Sequence, residues 1–286
     1  MLEDFVLPGV PLPVFWVFVG LAIIIQGISK SGFAGGAGIL ALPLMMLVMP
    51  VDLVAATLLP LLILCDMNAI YHHWRNVEWR PLLEIYIPAL LGIVAGAWVW
   101  WRIGQEGVQE YEQLIKRFVG VIAIIFALYI VGKESAMAWA ERYRPGPRVG
   151  AAAGIAAGFC STIAHAAGPI VSLYIFTQHL GKTLFVGTVA WTFTLINLTK
   201  LPFYVYVGLI QQETLYFALF VVWLIPIGSY LGKWLHHRVS EARFNRIILV
   251  LTVLAAIQLL FDINVIHIAL DLLVGDAVAA QLPLHV

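Results

Sequence analysis

The sequence is poor in charge and in cysteine. Only 11% of its 286 residues are charged and 62% are hydrophobic, whereas a soluble domain carries about 25% charged residues. Together with a mean hydropathy of +0.95, this excludes an ordinary water-soluble domain and indicates a polytopic membrane protein. Two cysteines without a CxxC spacing exclude a disulfide framework and a zinc cluster. A net charge of zero argues against a protein that binds nucleic acid.

Ten apolar segments, five on each side of a polar linker, are predicted to be helices in an all-α membrane protein. At about 20 residues per span, the chain has room for these segments and little else. We divide it into a first transmembrane repeat (1–132), a cytoplasmic linker (133–148), a second repeat (149–262) and a C-terminal tail (263–286). The segments are Val14–Ser29, Phe33–Met49, Leu53–His72, Leu82–Trp101, Leu114–Gly132, Val149–Cys160, Ile163–His179, Leu184–Val207, Leu215–Leu235 and Phe244–Phe261.

The two halves resemble each other, which indicates an internal duplication. At an offset of 126 residues, Gly32, Phe33 and Pro43 match Gly158, Phe159 and Pro169. At an offset of 136, Gly92, Gly96, Trp98 and Arg102 match Gly228, Gly232, Trp234 and Arg238.

The placement of Lys and Arg predicts an orientation, because short cytoplasmic loops are enriched in them. With five segments per half, 12 basic residues fall on one side and 3 on the other, with Lys200 inside a segment. With four crossings per half, the bias disappears. Because five is odd, the second half enters the membrane from the opposite side. The pattern therefore predicts an inverted-topology repeat, as in secondary transporters, with both termini in the periplasm.

Two glycine-rich stretches in corresponding positions, Gly27–Gly38 and Gly154–Pro169, are predicted to be re-entrant hairpins or broken helix pairs at the substrate site. Glycine lets backbone N–H groups face a ligand, and helices restarting at Gly35 or Ser161 would point positive dipole ends at it. An anion is the ligand that this arrangement favours. In the first stretch, the predicted contacts are Lys30, Ser31, Gly32, Gly35 and Gly36.

These motifs resemble the TauE/SafE family of sulfite exporters, also called the toluene sulfonate uptake permease family. The resemblance covers essentially the whole chain and rests on the run from Gly32 to Pro43, its weaker copy from Gly158 to Pro169, and Asn197-Leu-Thr-Lys200. It implies export of sulfite, sulfoacetate or a related organosulfonate across the bacterial inner membrane. One departure is that Ser161-Thr162 stands in the second repeat where the first has Gly35-Gly36.

Several polar residues inside the apolar segments are candidate site residues, since intramembrane charges are costly. Lys30 is either a cytoplasmic positive-inside marker or an anion-binding ammonium, and Lys200 either binds the anion or snorkels to the interface. Asn197 lies one turn before Lys200 and shares its face. His165, whose charge can change near neutral pH, and Asp66 are candidates for coupling to protons, and each also has a plain packing or pairing interpretation.

Other residues have both a structural and a functional interpretation. Ser161 and Thr162 are helix caps when taken singly and oxyanion donors as a cluster. The dyads His72-His73 and His236-His237 lack a metal-binding spacing and are placed in the headgroup zone. The tryptophans at positions 98, 100, 101 and 234 are interpreted as interfacial anchors.

The function predicted from the sequence is secondary transport of a small sulfur oxyanion by alternating access, without a cofactor or a metal. The partners are the anionic substrate and the lipid bilayer, and a homodimer is left open. The alternatives are a transporter or channel for another small anion, and a membrane-embedded metal-dependent enzyme that uses histidines and Asp66.

Overall fold

The computed structural model describes residues 2–32, 36–143 and 145–262. Those residues form α-helices, short 3-10 helices and connecting turns, and no strand is found among them. Seven helical stretches are long and apolar enough to cross a membrane. The protein is therefore an all-α polytopic membrane protein, as the sequence predicts. The predicted tail after residue 262 lies outside the described residues.

The helices follow the predicted segments in order, and the predicted segment Leu215–Leu235 is divided into two helices. The first half contains α1 (Leu12–Gly32), a 3-10 helix (Gly36–Leu40), α2 (Ala41–Met46), α3 (Val51–His73), α4 (Trp79–Glu106) and α5 (Val108–Ala140). The second half contains α6 (Pro147–Ala164), α7 (Gly168–Phe176), α8 (Lys182–Tyr206), α9 (Gln212–Val221), α10 (Leu224–Arg238) and α11 (Glu241–Phe261).

The connection between the halves is shorter than the predicted linker. Helix α5 continues through Ala140, and α6 begins at Pro147. Lys133 and Glu134 are good helix formers and extend α5, whereas proline is favoured in the first turn of a helix. Only residues 141–146 connect the two helices.

Each half contains one broken helix pair. Helices α2 and α7 have 6 and 9 residues, too few to span a bilayer, and each follows a longer helix after a short break. The predicted restart of a helix at Ser161 is wrong, because Ser161 lies in the last turn of α6 and the next helix begins at Gly168. The predicted restart at Gly35 falls outside the described residues.

The helix contacts match when the halves are compared in order. Helix α1 packs on α10 and α6 packs on α4, so the first helix of each half contacts the fourth segment of the other. The third helices, α3 and α8, contact each other, as do the fifth helices, α5 and α11. This pairing supports a duplication of five elements.

Glycines allow the two first-to-fourth contacts to be close. A Cβ at Gly92 in α4 would lie 2.1 Å from the Ile155 carbonyl oxygen in α6, and one at Gly228 in α10 would lie 2.4 Å from that of Ile24 in α1. The pair that matches at an offset of 136 thus has the same packing role in both halves. The match of Gly32 with Gly158 differs, because Gly32 ends α1 whereas Gly158 lies inside α6.

Candidate functional site

The break after α6 positions the polar groups of the second half. His165 adopts a left-handed conformation with φ of 49°, and its N–H donates to the Ser161 carbonyl at 3.0 Å. Such a conformation costs a residue other than glycine about 1–2 kcal/mol, so other contacts must hold it. The His165 side chain supplies them: Nε2 lies 3.0 Å from the Ala55 carbonyl oxygen in α3 and Nδ1 lies 3.0 Å from Lys200 Nζ.

Lys200 is enclosed at the centre of the molecule. Its side chain is fully buried, so the alternative in which it snorkels to the interface is wrong. Nζ donates to the Ser161 carbonyl oxygen and lies 3.0 Å from both Ser161 Oγ and His165 Nδ1. Three acceptors match the three donors of an ammonium group, and a cation is favourable at the C-terminal end of a helix such as α6.

These contacts define the protonation pattern of His165. An imidazole that accepts a hydrogen bond from Lys200 at Nδ1 carries its proton on Nε2 and donates it to the Ala55 carbonyl. Both ring nitrogens are then satisfied by a neutral ring. His165 thus links α3, α6 and α8 at one point.

The second polar centre joins the two halves through Asp66. Asp66 in α3 is fully buried, and its two carboxylate oxygens accept hydrogen bonds from different partners. Lys30 Nζ at the end of α1 lies 2.5 Å from Oδ1, and Asn197 Nδ2 in α8 lies 2.6 Å from Oδ2. The Lys30 ammonium also lies 4.6 Å from the centre of the Phe193 ring. Lys30 therefore lies with the other polar groups inside the molecule, and the basic count of the richer side falls to 11 against 3. The polar groups that we call the central cluster are Lys30, Asp66, Ser161, His165, Asn197 and Lys200.

Asp66 and Asn197 occupy equivalent places in the two halves. Helix α3 begins at Val51 and α8 at Lys182, an offset of 131 residues. At the same offset, Asp66 corresponds to Asn197 and Leu62 to Phe193. Lys200 lies one turn further along α8 than Asn197.

A small cavity of about 40 Å³ lies between these groups. A cavity needs at least about 10–15 Å³ by the same measure to hold one water, so this one has room for a small ion or a few waters. Lys200 is not among its lining residues, whereas Ser161 and His165, which Lys200 contacts, are. The polar lining residues are Gln26, Lys30, Ser161, His165 and Asn197.

At the break after α1, a side-chain hydroxyl group contacts the backbone of the following 3-10 helix. Ser29 Oγ accepts a hydrogen bond of 2.8 Å from the Gly38 N–H, which ties the 3-10 helix to α1. Ser31 and Gly32 belong to the last turn of α1, and Gly36 begins the 3-10 helix. Gly35 lies outside the described residues. The contacts predicted for Ser31, Gly32, Gly35 and Gly36 with an anion therefore stay predictions.

Thr162 faces α4 and does not line the cavity. Its Oγ1 donates to the Gly158 carbonyl at 2.8 Å, and its own carbonyl accepts hydrogen bonds from Trp100 Nε1 and the Tyr204 hydroxyl. Trp100 is buried, so its interpretation as an interfacial anchor is wrong. The indole N–H of Trp100 donates to a buried carbonyl oxygen and does not lie at the membrane surface.

Gln26 and Phe193 are among the lining residues of the cavity that sequence reasoning missed. Gln26 is a polar side chain inside the first apolar segment, a signal of the same kind as Asp66. Phe193 carries no signal by type, because aromatic residues are common in this chain, and only its match with Leu62 at an offset of 131 distinguishes it.

Comparison with known proteins identifies the family of this chain. The family model described as sulfite exporter TauE/SafE matches residues 19–259, nearly the whole chain. No curated protein and no solved structure matches the chain. The match includes both broken helix pairs and all residues of the central cluster, so this chain is a multi-pass membrane protein that belongs to the TauE/SafE family, a family of exporters for sulfite or related anions.

Proposed function

We propose that this protein is a secondary transporter that exports sulfite across the bacterial inner membrane by alternating access. The observation that carries the proposal is the small polar cavity between the two halves, into which Lys30 projects with Ser161, His165 and Asn197 around it. A site of this kind, where broken helices from two repeats meet, is typical of secondary transporters.

Lys30 is the group that we propose to bind the anion directly. Its side chain is 17% exposed, whereas that of its partner Asp66 is fully buried. An arriving oxyanion would contact the Lys30 ammonium on the cavity side, where it competes with the Asp66 carboxylate for the same donors. The Ser161 hydroxyl and the Asn197 amide offer further donors of the kind that oxyanions accept.

Lys200 would act on the anion indirectly, through neighbouring side chains. It is held behind Ser161 and His165, so its ammonium orients these two side chains toward the cavity and adds positive charge near it. We therefore assign Lys200 as a positioning residue. Asp66 and His165 stay the candidates for coupling transport to protons, because both lie in the cluster that the anion would enter.

The size of the cavity favours a compact substrate. About 40 Å³ suits an oxyanion with a few heavy atoms, whereas an organosulfonate with a longer carbon chain would require the lining helices to separate. Sulfite is therefore favoured over sulfoacetate as the substrate of this site.

The basic residues support an orientation with both termini in the periplasm. After the assignment of Lys30 to the central cluster, the loops still divide 11 to 3, and the richer side is cytoplasmic by the positive-inside rule. A homodimer stays a prediction from the sequence.

The test is transport of labelled substrates into proteoliposomes. We expect flux of sulfite above that of sulfate and sulfoacetate, and none of a divalent cation. Lys30→Met should raise the KM for sulfite by about 10–100-fold, since a hydrogen bond to a charged group contributes about 1.5–3 kcal/mol. Lys200→Met should lower flux with a smaller change in KM, because it displaces Ser161 and His165.

The matched control is Lys233→Met, since Lys233 is exposed on α10 and does not line the cavity. It should transport sulfite as the wild type does. Transport of the cation alone would contradict the assignment of an anion substrate. An unchanged KM in Lys30→Met would remove Lys30 from the site.

A further inference from the structure

A second and larger cavity, of about 400 Å³, lies between α5, α7, α8 and α11. Its walls are mainly apolar and aromatic, and its two charged lining residues are Lys133 and Lys182. A volume of this size is that of a ligand pocket or an access path. The proposed substrate site in the small cavity does not use it.

The large cavity extends to one end of the helix bundle. Lys133 and Met137 lie near the C-terminal end of α5, the exposed Lys182 is the first residue of α8, and Asn245 lies near the start of α11. These helix ends adjoin the connections that carry the excess of basic residues. This end of the cavity therefore lies on the side that the sequence predicts to be cytoplasmic.

Two residues line both cavities, Gly168 and Phe193. Gly168 is the first residue of α7 and has no side chain to block passage. Phe193 is the bulky residue between the two spaces, and its ring contacts the Lys30 ammonium at 4.6 Å. The group that separates the cavities is thus also in contact with the cation of the small cavity.

We propose that the large cavity is the cytoplasmic vestibule of the transport path and that Phe193 is the gate between it and the central cavity. The proposal rests on the proposed function. Lys133 and Lys182 raise the local concentration of anions at the entrance. The Phe193 ring, held by the cation–π contact with Lys30, closes the passage while Lys30 is paired with Asp66.

A gate at Phe193 would link binding of the anion at Lys30 to opening of the passage between the two cavities. An anion that reaches Lys30 engages the same ammonium that the ring contacts, so the occupancy of Lys30 acts directly on the position of Phe193. Leu62, the residue equivalent to Phe193 in the first half, also lines the central cavity. The two halves thus place a bulky apolar side chain at equivalent positions of the central cavity.

Cysteine labelling tests the vestibule without reference to the substrate. In a background with Cys65→Ala and Cys160→Ala, we would place single cysteines by Ser172→Cys in the vestibule, by Leu62→Cys in the central cavity and by Leu128→Cys on the outer face of α5. Ser172 lines the large cavity, whereas Leu128 is 66% exposed and does not. The probe is an anionic, membrane-impermeant methanethiosulfonate added from either side.

We expect Ser172→Cys to react from the cytoplasmic side only, and Leu62→Cys and Leu128→Cys to react slowly. Phe193→Ala should raise the rate for Leu62→Cys at least tenfold and leave the rate for Ser172→Cys unchanged. Phe193→Leu, which keeps most of the bulk, should leave both rates low or unchanged. The unchanged rate at Ser172→Cys also shows that the gate variant is folded.

The role of the two lysines is tested with reagents of opposite charge. Lys133→Gln combined with Lys182→Gln should lower the ratio of anionic to cationic labelling rates at Ser172→Cys at least threefold, and the control Lys233→Gln should not.

The vestibule would be refuted if Ser172→Cys were as unreactive as Leu128→Cys, and the gate if Phe193→Ala left the rate at Leu62→Cys unchanged. Sulfite flux through the wild-type protein is a separate measurement, so failure of the proposed function can be told apart from failure of this proposal.

Discussion

At the scale of single residues, the two lysines at the centre of the molecule are stabilised in different ways. Lys30 is paired with a carboxylate and is partly open to the cavity, whereas Lys200 is fully buried among neutral acceptors. An ion pair that is largely removed from water depends strongly on both partners, because each charge is costly without the other. Substitution of Lys30 or Asp66 is therefore a sensitive test of the central cluster.

We predict that Asp66→Asn lowers the free energy of unfolding by about 3 kcal/mol, since it leaves the Lys30 ammonium without its counterion. In a double-mutant cycle, Lys30→Met combined with Asp66→Asn should destabilise the protein less than the sum of the single changes. The measurement is unfolding in mixed micelles with increasing SDS. As a control, Arg80→Met at the exposed pair with Glu84 should cost at most about 1 kcal/mol. Strict additivity at Lys30 and Asp66 would show that the pair contributes no coupling.

Most members of the cluster could be predicted from the sequence, but their partners could not. Asp66, Asn197 and Lys200 are recognisable because polar side chains are rare and costly inside apolar segments. The hydrogen bond between Asn197 and Asp66 joins residues 131 positions apart, and it depends on how α3 packs on α8. A list of intramembrane polar residues does not contain that information.

At the scale of elements, close helix packing depends on glycines that face a neighbouring backbone. A Cβ at Gly158 in α6 would lie 2.1 Å from the Ala89 carbonyl oxygen in α4, a separation that real Cβ atoms do not show. Because the obstacle is backbone, one of the two helices would have to move. The walls of the central cavity include α6, so this contact also positions Ser161.

We predict that Gly158→Ala lowers the melting temperature in detergent markedly or prevents folding, because overpacking typically costs about 1–3 kcal/mol and more where backbone must shift. Gly132→Ala is the matched control, since nothing lies within 4 Å of a Cβ at Gly132 in α5. It should be neutral or stabilising by up to about 1 kcal/mol through helix propensity. Equal melting temperatures for the two variants would contradict the close packing of α4 on α6.

The helices themselves could be predicted well, and the position of the second break could not. Apolar runs mark the helices. The prolines at 147 and 169 mark the places where two of the helices begin. The break was expected near Ser161, because serine is a frequent helix cap. The helix continues to Ala164 and ends at His165, where contacts with α3 and α8 hold an unfavourable backbone conformation. That cause lies in tertiary structure.

At the scale of the whole molecule, the two broken pairs differ in their surroundings. All six residues of α2 are buried, whereas one face of α7 lines the large cavity. If the halves are equivalent repeats, this difference corresponds to a conformation with a space on the cytoplasmic side, which Phe193 separates from the central cavity, and with α2 packed against its neighbours on the other side. The reverse conformation would bury α7 and open a space beside α2.

We predict the topology from equivalent connections in the two repeats. Reporter fusions after Glu106, between α4 and α5, should report the periplasm, and fusions after Arg142 should report the cytoplasm. Fusions after Ser240, which stands between α10 and α11 as Glu106 stands between α4 and α5, should report the cytoplasm if the repeats are inverted as the sequence predicts. The measurement is the activity of paired periplasmic and cytoplasmic reporter enzymes. Glu106 and Ser240 fusions on the same side would rule out the inverted arrangement.

The composition of the central cluster has an electrical consequence. With Lys30 and Lys200 as ammonium groups and Asp66 as a carboxylate, the empty site has one positive charge in excess, and a monovalent anion such as bisulfite neutralises it. Under alternating access, the loaded site would reorient without moving net charge, whereas the empty site would carry its positive charge back toward the cytoplasm. A membrane potential that is negative inside favours this return by up to about 2.3 kcal/mol per 100 mV. The voltage across the membrane would therefore pull each cycle in the direction of export.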